Sequence, residues 1–267
     1  MNDYKKNGYK IFKNVVPVSV IDEIVQEALT LCNTRLASLG FSAEKKIFTA
    51  LKSLHSTDIK SFVATRKTIQ YLPVFNQLAV SEPILNTAQK VGIQMPVIST
   101  RPVFHSMCSD MEIPGGYNFT PPHQDWRNIQ GSLNLAIFWV PLMDVDENFY
   151  PLEVVPGSHL EGLIPSHETI FGQVIQSEFL ENKSFVKVPV KKGDVIAFSS
   201  FLVHRTSSDG PADNVRLAAS FRFNDAREET FVRRNFPNPY IYQPQYELLD
   251  ETLLQGNVVR DYFENLV

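Results

Sequence analysis

Cysteine is scarce in this sequence of 267 residues, which contains only Cys32 and Cys108. Their spacing forms no CxxC motif and no zinc-type pattern. Two scattered cysteines in a large chain are more often reduced than paired, because disulfides persist mainly in oxidising compartments. We therefore expect a cytoplasmic protein whose fold depends on a hydrophobic core and not on disulfides.

Long apolar runs and a basic excess are also missing. No stretch approaches the ~18 consecutive apolar residues of a membrane-spanning helix. No apolar run follows the lysines at the start, so we expect no secretory signal and no membrane contact. The net charge is −4, from 25 basic and 29 acidic residues. Because nucleic-acid-binding domains typically carry a clear basic excess, we expect no nucleic-acid partner.

The order of helical and strand patterns indicates the fold class. Ser19 is a candidate N-cap of a helix with Ile21, Ile24 and Ala28 on one face, and Gly40 follows its end. Further helical patterns continue to about residue 92. From residue 95 onward, short strand patterns alternate with turn residues. The predicted strands are 97–107, 133–142, 153–155, 185–190, 195–198 and 216–223.

Helices followed by many strands predict a mainly β fold, a sandwich or barrel braced by N-terminal α-helices. No break in composition separates two domains, so we expect a single domain over residues 1–267. Its parts would be a mostly helical brace over 1–94, a β-rich core over 95–224 and a C-terminal extension or lid over 225–267.

A candidate metal site begins in the segment PPHQDW, which places His123 and Asp125 two residues apart. Residues i and i+2 of a strand point to the same face, so this imidazole and carboxylate could bind one metal ion. A third ligand must come from farther along the chain, and His204 in GDVIAFSSFLVHRTSS is the candidate. Two histidines and one carboxylate form the facial triad of non-haem Fe(II) oxygenases, which leaves positions open for a bidentate cosubstrate and dioxygen.

An arginine follows on the next predicted strand, at Arg216 in VRLAASFRF. A buried arginine is costly unless it is paired, and its guanidinium can bind a cosubstrate carboxylate through two hydrogen bonds. Arg222 lies on the same strand face by parity and competes for this role, although its distance from His204 is less suitable. The alternative is a surface arginine on an edge strand.

These segments together resemble the phytanoyl-CoA dioxygenase-like branch of the Fe(II)/2-oxoglutarate oxygenases. The resemblance runs in order through HQD at 123–125, LAIFWVPLMDVD at 135–146, LEVVPGSHLEG at 152–162, KKGDVIAFSSFLVHRTSSD at 191–209 and VRLAASFRF at 215–223. The opening NGYKIFKNVVPVSVIDEI also looks like the family's start. The chain departs from the family pattern at Tyr150-Pro151, before the VPGSH block.

The resemblance implies a double-stranded β-helix, also called a jelly roll, with helices packed on one sheet. It implies that His123, Asp125 and His204 bind Fe(II) and form the catalytic centre. It also implies that Arg216 binds the distal carboxylate of 2-oxoglutarate. Three further residues match positions that line the cosubstrate pocket in the family: Thr206, Trp139 and Met107.

The implied activity is that of a dioxygenase which uses Fe(II), 2-oxoglutarate and dioxygen to hydroxylate a C–H bond, with release of succinate and CO2. The expected substrate is a small biosynthetic molecule, such as a natural product or a saccharide precursor. Desaturation, ring formation and epimerisation use the same ligands and stay open as outcomes. Two other interpretations are a jelly-roll metalloprotein with non-oxidative chemistry and a catalytically silent binding or scaffold protein. Arg216 argues against the first, and the complete ligand set argues against the second.

Overall fold

The computed structural model describes residues 2–116 and 119–238 of the chain. The described residues up to Pro237 form one compact unit. The predicted extension or lid over 225–267 is described only as far as residue 238, and the rest of it lies outside the described residues.

The first part of the chain is mostly helical, as its pattern predicts. Helix α2 buries Ile21, Ile24 and Ala28 on one face, and Gly40 follows its end with a φ of 83°. The predicted N-cap at Ser19 is wrong, because the N-cap position is held by Pro17, two residues earlier, and no side chain caps the helix. The helices are α1 (Asn2–Asn7), α2 (Val18–Ser38), α3 (Ile47–Thr57), α4 (Ile59–Ile69), α5 (Pro73–Ala79), α6 (Glu82–Lys90), α7 (Trp126–Ile129) and α8 (Glu229–Arg233).

The strands follow most of the predicted segments. The strands are β1 (Tyr9–Phe12), β2 (Pro96–Ile98), β3 (Val103–Met107), β4 (Ala136–Pro141), β5 (Leu152–Val154), β6 (Ser166–Thr169), β7 (Gly172–Ile175), β8 (Val186–Val188), β9 (Val195–Ser199), β10 (His204–Thr206) and β11 (Arg216–Asp225). The predicted strand over 97–107 is two strands, β2 and β3, which pair with different parts of β11. The sequence analysis missed β1, β6, β7 and β10.

Two antiparallel sheets face each other and form the jelly roll. The larger sheet has the order β1-β9-β4-β11-β2, with β3 also paired to β11, and the smaller sheet has the order β10-β5-β8. Between them lies an apolar cluster that includes Trp139 of β4, Phe198 of β9 and Val154 of β5. The cluster joins the two sheets, because alternate residues of each strand point to the same side.

The opposite side of the larger sheet packs against the helices. Phe138 of β4 and Phe221 of β11 belong to the same buried cluster as Ile24 of α2 and Phe75 of α5. Strands β4 and β11 are therefore buried on both faces, which explains the continuous apolar sequence of β4. This arrangement makes β11 a rigid support for polar side chains that point between the sheets.

The described residues include both cysteines and the helices of the compact unit. Cys32 and Cys108 are both buried and form no disulfide. Within the described parts of the chain, none of the helices has the length and apolar character needed to cross a bilayer.

Candidate metal centre

The two candidate histidine ligands are held together by the backbone. The backbone nitrogen of His123 donates to the carbonyl of His204 (3.1 Å), and the backbone nitrogen of His204 donates to the carbonyl of His123 (3.2 Å). This isolated antiparallel bridge sets the two imidazole rings side by side, with 4.1 Å between their centroids. Both residues are buried.

Each imidazole has one nitrogen engaged by a backbone carbonyl. Nδ1 of His123 is 2.8 Å from the carbonyl oxygen of Pro121, and Nδ1 of His204 is 2.9 Å from that of Leu202. A carbonyl oxygen only accepts hydrogen bonds, so Nδ1 carries the proton in both rings. Nε2 of each neutral ring is then left with a free lone pair, which is the form in which histidine binds a metal.

Asp125 completes the group at the start of α7. Its Oδ1 lies 3.4 Å from Nε2 of His123, and its Oδ2 accepts a hydrogen bond from Nε of Arg222 (3.2 Å). One ligand atom from each of His123, Asp125 and His204 lies within 4.8 Å of the others, and all three residues are buried. The spacing and the donor types fit a divalent transition metal with two imidazoles and one carboxylate on one face.

Electrostatics keep Asp125 and His204 in their metal-binding protonation states. Burial would by itself raise the pKa of Asp125, but the positive charge of Arg222 holds it well below its usual range. Burial lowers the pKa of His204 to about 3, with a further contribution from His123. At neutral pH the carboxylate is therefore charged and the His204 ring is neutral.

Aromatic rings pack against the histidines. Phe171, at the turn of the β6–β7 hairpin, contacts the ring of His123 edge-on, with 4.6 Å between the centroids. Phe198 of β9 lies 4.7 Å from the ring of His204. These contacts place one apolar ring beside each imidazole, which lowers the local polarity. The sequence analysis missed Phe171 because no motif surrounds it.

Arg216 lies on β11 as a buried charge without a carboxylate partner among the described residues. The residue is 2% exposed, and its Nη1 atom is buried without a hydrogen-bond partner. Its Nε atom donates to the backbone carbonyl of Tyr150 (3.1 Å), and its guanidinium lies 5.3 Å from the ring of Trp139. Burial lowers the pKa of Arg216 to about 9. A buried guanidinium of this kind is costly unless an anion binds to it.

The remaining predicted site residues lie around this arginine and the metal ligands. Met107 of β3 is in register with Arg216 of β11 and is buried. Thr206 is two residues from His204 on β10, so the two share a strand face. Arg222, the other candidate for the carboxylate-binding role, is paired with Asp125.

Tyr150 is a functional candidate whose role the sequence did not reveal. The residue is fully buried and adopts a positive φ of 49°. Its hydroxyl accepts from the backbone nitrogen of Ser109 (3.1 Å) and donates to the carbonyl of Pro211 (2.7 Å). The departure from the family pattern at Tyr150-Pro151 was the available signal, and the structure shows that it supports Arg216.

Comparison with known proteins agrees with this geometry. The phytanoyl-CoA dioxygenase (PhyH) family model matches residues 4–210. The peroxisomal phytanoyl-CoA dioxygenase of Homo sapiens is 23% identical over 233 residues, which cover 84% of this chain and 67% of that enzyme. The 1-deoxypentalenic acid 11-beta-hydroxylase of Streptomyces arenae is 22% identical over 235 residues, which cover 84% of this chain and 79% of the hydroxylase.

A solved structure shows the same architecture. EctD from S. alaskensis, crystallised with 2-oxoglutarate and 5-hydroxyectoine, superposes with a TM-score of 0.55 at 16% identity, over 85% of this chain and 75% of EctD. At this level of identity the likeness concerns the fold. The predicted jelly roll is thereby confirmed.

Proposed function

The chain belongs to the phytanoyl-CoA dioxygenase family of Fe(II)- and 2-oxoglutarate-dependent oxygenases, and from this premise we propose that it hydroxylates a C–H bond of a small biosynthetic molecule, with release of succinate and CO2. The observation that carries the proposal is the combination of a buried His-Asp-His cluster with a buried arginine that no described carboxylate neutralises.

The proposed iron ligands are Nε2 of His123, a carboxylate oxygen of Asp125 and Nε2 of His204. When bound, Fe(II) and 2-oxoglutarate supply the activation of dioxygen and the oxidation of the substrate. The contribution of the protein is to keep the His204 imidazole neutral and the Asp125 carboxylate charged, and to leave the remaining coordination positions open. No general base is needed for this role.

Arg216 is proposed to bind the distal carboxylate of 2-oxoglutarate. Its orphaned Nη1 atom offers a donor that no described protein group accepts, and an incoming carboxylate satisfies both the donor and the charge. Trp139, Thr206 and Met107 are proposed to line the same pocket. Their support is the stacking of Trp139 on the guanidinium, the strand face that Thr206 shares with His204, and the register of Met107 with Arg216.

The choice of a small-molecule substrate is supported by what similar proteins bind. The hydroxylase of Streptomyces arenae is named for a small acid, 1-deoxypentalenic acid, and the EctD crystal contains 5-hydroxyectoine. The phytanoyl-CoA of the family name is not proposed as the substrate, because the sequence shows no acyl-CoA signature. We also propose that residues 1–267 act as one catalytic domain in a reducing compartment such as the cytoplasm, in keeping with two buried unpaired cysteines.

The decisive experiment is an anaerobic titration of metal-free protein with Fe(II) and then 2-oxoglutarate, monitored by visible absorption. A bidentate complex of the two produces a weak charge-transfer band. We expect the band in the wild-type protein, its loss in His204→Ala, and a higher 2-oxoglutarate requirement in Arg216→Ala. A well-folded wild-type protein without the band would reject the proposal and favour the non-oxidative or scaffold interpretations.

A further inference from the structure

The two arginines of β11 that point toward the space between the sheets have different partners. Arg216 faces no described carboxylate, whereas Arg222 donates from Nε to Oδ2 of Asp125 at 3.2 Å. The other oxygen of the same carboxylate, Oδ1, lies 3.4 Å from Nε2 of His123. The two oxygens of Asp125 are therefore engaged on different sides, one toward the proposed metal position and one toward an arginine.

We propose that Arg222 is a positioning residue that holds Oδ2 of Asp125, so that the carboxylate offers only Oδ1 to Fe(II). The inference rests on the proposed function. A carboxylate binds a metal through one or both oxygens, and the second mode would occupy a position that the bidentate cosubstrate or dioxygen needs. An N–H group that donates a hydrogen bond to Oδ2 keeps that oxygen from binding the metal.

Arg222 is itself fixed by a second contact. Its Nη1 atom donates to Oγ of Ser220 (3.2 Å), and the same hydroxyl oxygen lies 2.9 Å from Nε2 of His105 on β3. Since Oγ accepts from the guanidinium, its own proton is available for Nε2 of His105. The chain of contacts from Asp125 through Arg222 and Ser220 to His105 ties a ligand on a short helix to two strands of the larger sheet.

Because these residues are mostly buried, protein groups and not water molecules are their hydrogen-bond partners. Ser220 is 1% exposed, and the side chains of Arg222 and Asp125 are 15% and 8% exposed. Burial and the positive charges of Arg216, Arg222 and Arg66 hold the pKa of His105 well below its usual range, so its ring is neutral and able to accept. Lysine cannot reproduce the two contacts, because Nε and Nη1 belong to one rigid planar fork.

The test compares metal binding and cosubstrate binding in three variants of the full-length protein. Anaerobic titrations with Fe(II) alone, and then with 2-oxoglutarate, are performed on Arg222→Gln, Arg222→Lys and Ser220→Ala. The exposed Arg233, which pairs with Glu229 on α8, gives the matched control Arg233→Gln. Thermal unfolding of the metal-free proteins reports whether each variant is folded.

We expect Arg222→Gln to bind Fe(II) about 10- to 100-fold more weakly, the range typical of lost outer-sphere partners of metal ligands. The charge-transfer band of the 2-oxoglutarate complex should also shift or weaken, because a carboxylate bound through both oxygens changes the coordination. Arg222→Lys should not restore either property, Ser220→Ala should show a smaller loss, and Arg233→Gln should match the wild-type protein. A purely structural role would lower the unfolding temperature without moving the band.

The outcomes separate this inference from the proposed function. If wild-type protein binds Fe(II) and 2-oxoglutarate and Arg222→Gln does so with the same affinities and the same band, the role of Arg222 is rejected and the proposed function stands. If the wild-type protein forms no such complex, the proposed function itself fails. If Arg222→Gln does not fold, Ser220→Ala decides, and wild-type behaviour in that variant rejects the inference.

Discussion

Arg216 donates from Nε to the backbone carbonyl of Tyr150 at 3.1 Å, a contact between residues 66 positions apart. Tyr150 is able to present that carbonyl because its backbone has a positive φ of 49° and its buried ring is anchored through the hydroxyl. Gly210 packs on this ring so closely that an added Cβ would lie 2.4 Å from it. The orientation of the proposed cosubstrate-binding arginine thus depends on a tyrosine that contacts no proposed metal ligand among the described residues.

Removal of the Tyr150 hydroxyl should therefore affect both stability and cosubstrate binding. Tyr150→Phe keeps the ring but leaves the carbonyl of Pro211 and the N–H of Ser109 without this partner. We expect a loss of about 1–3 kcal/mol in the free energy of unfolding, measured by urea denaturation, together with a several-fold weaker binding of 2-oxoglutarate. Tyr71→Phe, at a tyrosine that is 64% exposed, is the control and should change neither quantity. Wild-type binding and stability in Tyr150→Phe would contradict the anchoring role.

Replacement of Arg216 should weaken 2-oxoglutarate binding without lowering the stability of the metal-free protein. Arg216→Met removes a buried charge that has no described carboxylate partner, so the metal-free variant should be at least as stable as the wild-type protein. Its 2-oxoglutarate affinity should fall by about 2–4 kcal/mol, roughly 30- to 1,000-fold, because the carboxylate loses a charged donor. Calorimetric titration of the Fe(II)-loaded protein measures the affinity. Unchanged 2-oxoglutarate binding would contradict the role of Arg216 and indicate that another cationic residue binds the carboxylate.

Loss of one histidine ligand should abolish specific metal binding. His204→Ala deletes one of the three proposed ligands, and the remaining pair cannot complete the facial set. Fe(II) should raise the unfolding temperature of the wild-type protein under anaerobic conditions and leave that of His204→Ala unchanged. His167→Ala, which removes an exposed histidine of β6, serves as the control and should keep the metal response. An equal response in His204→Ala and the wild-type protein would place the metal elsewhere.

The stability of the metal-free protein should fall as the pH is lowered from 7.5 to 5.5. Burial lowers the pKa of His204 to about 3, whereas an unfolded histidine titrates near 6.5. The unfolded chain therefore binds more protons than the folded chain below pH 6.5, and each such group contributes a slope of up to about 1.4 kcal/mol per pH unit. His105 acts in the same direction because its pKa is also lowered.

Urea denaturation at several pH values measures this slope. The variant His105→Gln should have a shallower dependence on pH than the wild-type protein, since one of the two histidines with a lowered pKa is gone. The acidic groups with lowered pKa values lose their stabilisation at lower pH and fall outside this window; they are Asp58, Asp125, Asp194, Asp225 and Glu228. A free energy of unfolding that stays constant from pH 7.5 to 5.5 would show that folding does not lower the pKa values of these histidines.

Local patterns in the sequence determined most of the helices and strands and the residue types of the candidate metal site. The 3.6-residue period predicted α2, and short apolar runs between turn residues predicted β4, β9 and β11 within a few residues. The ligand types could also be predicted, because His123 and Asp125 are two residues apart on the chain and His204 follows a predicted turn and strand. The strands that were missed, such as β10 with its sequence His-Arg-Thr, are short and polar and are formed by pairing with distant segments.

Only the tertiary structure showed what the two arginines of β11 bind. Arg216 and Arg222 have the same parity, and the sequence favoured Arg216 only by its spacing from His204 and by the family resemblance. Their difference is nonlocal: the chain folds so that Asp125 reaches Arg222, while the Tyr150 carbonyl engages Nε of Arg216 and leaves Nη1 without a partner. Residue type and period set which side chains face the space between the sheets. The pairing of buried charges depends on distances between segments far apart in the chain, and packing decides those distances.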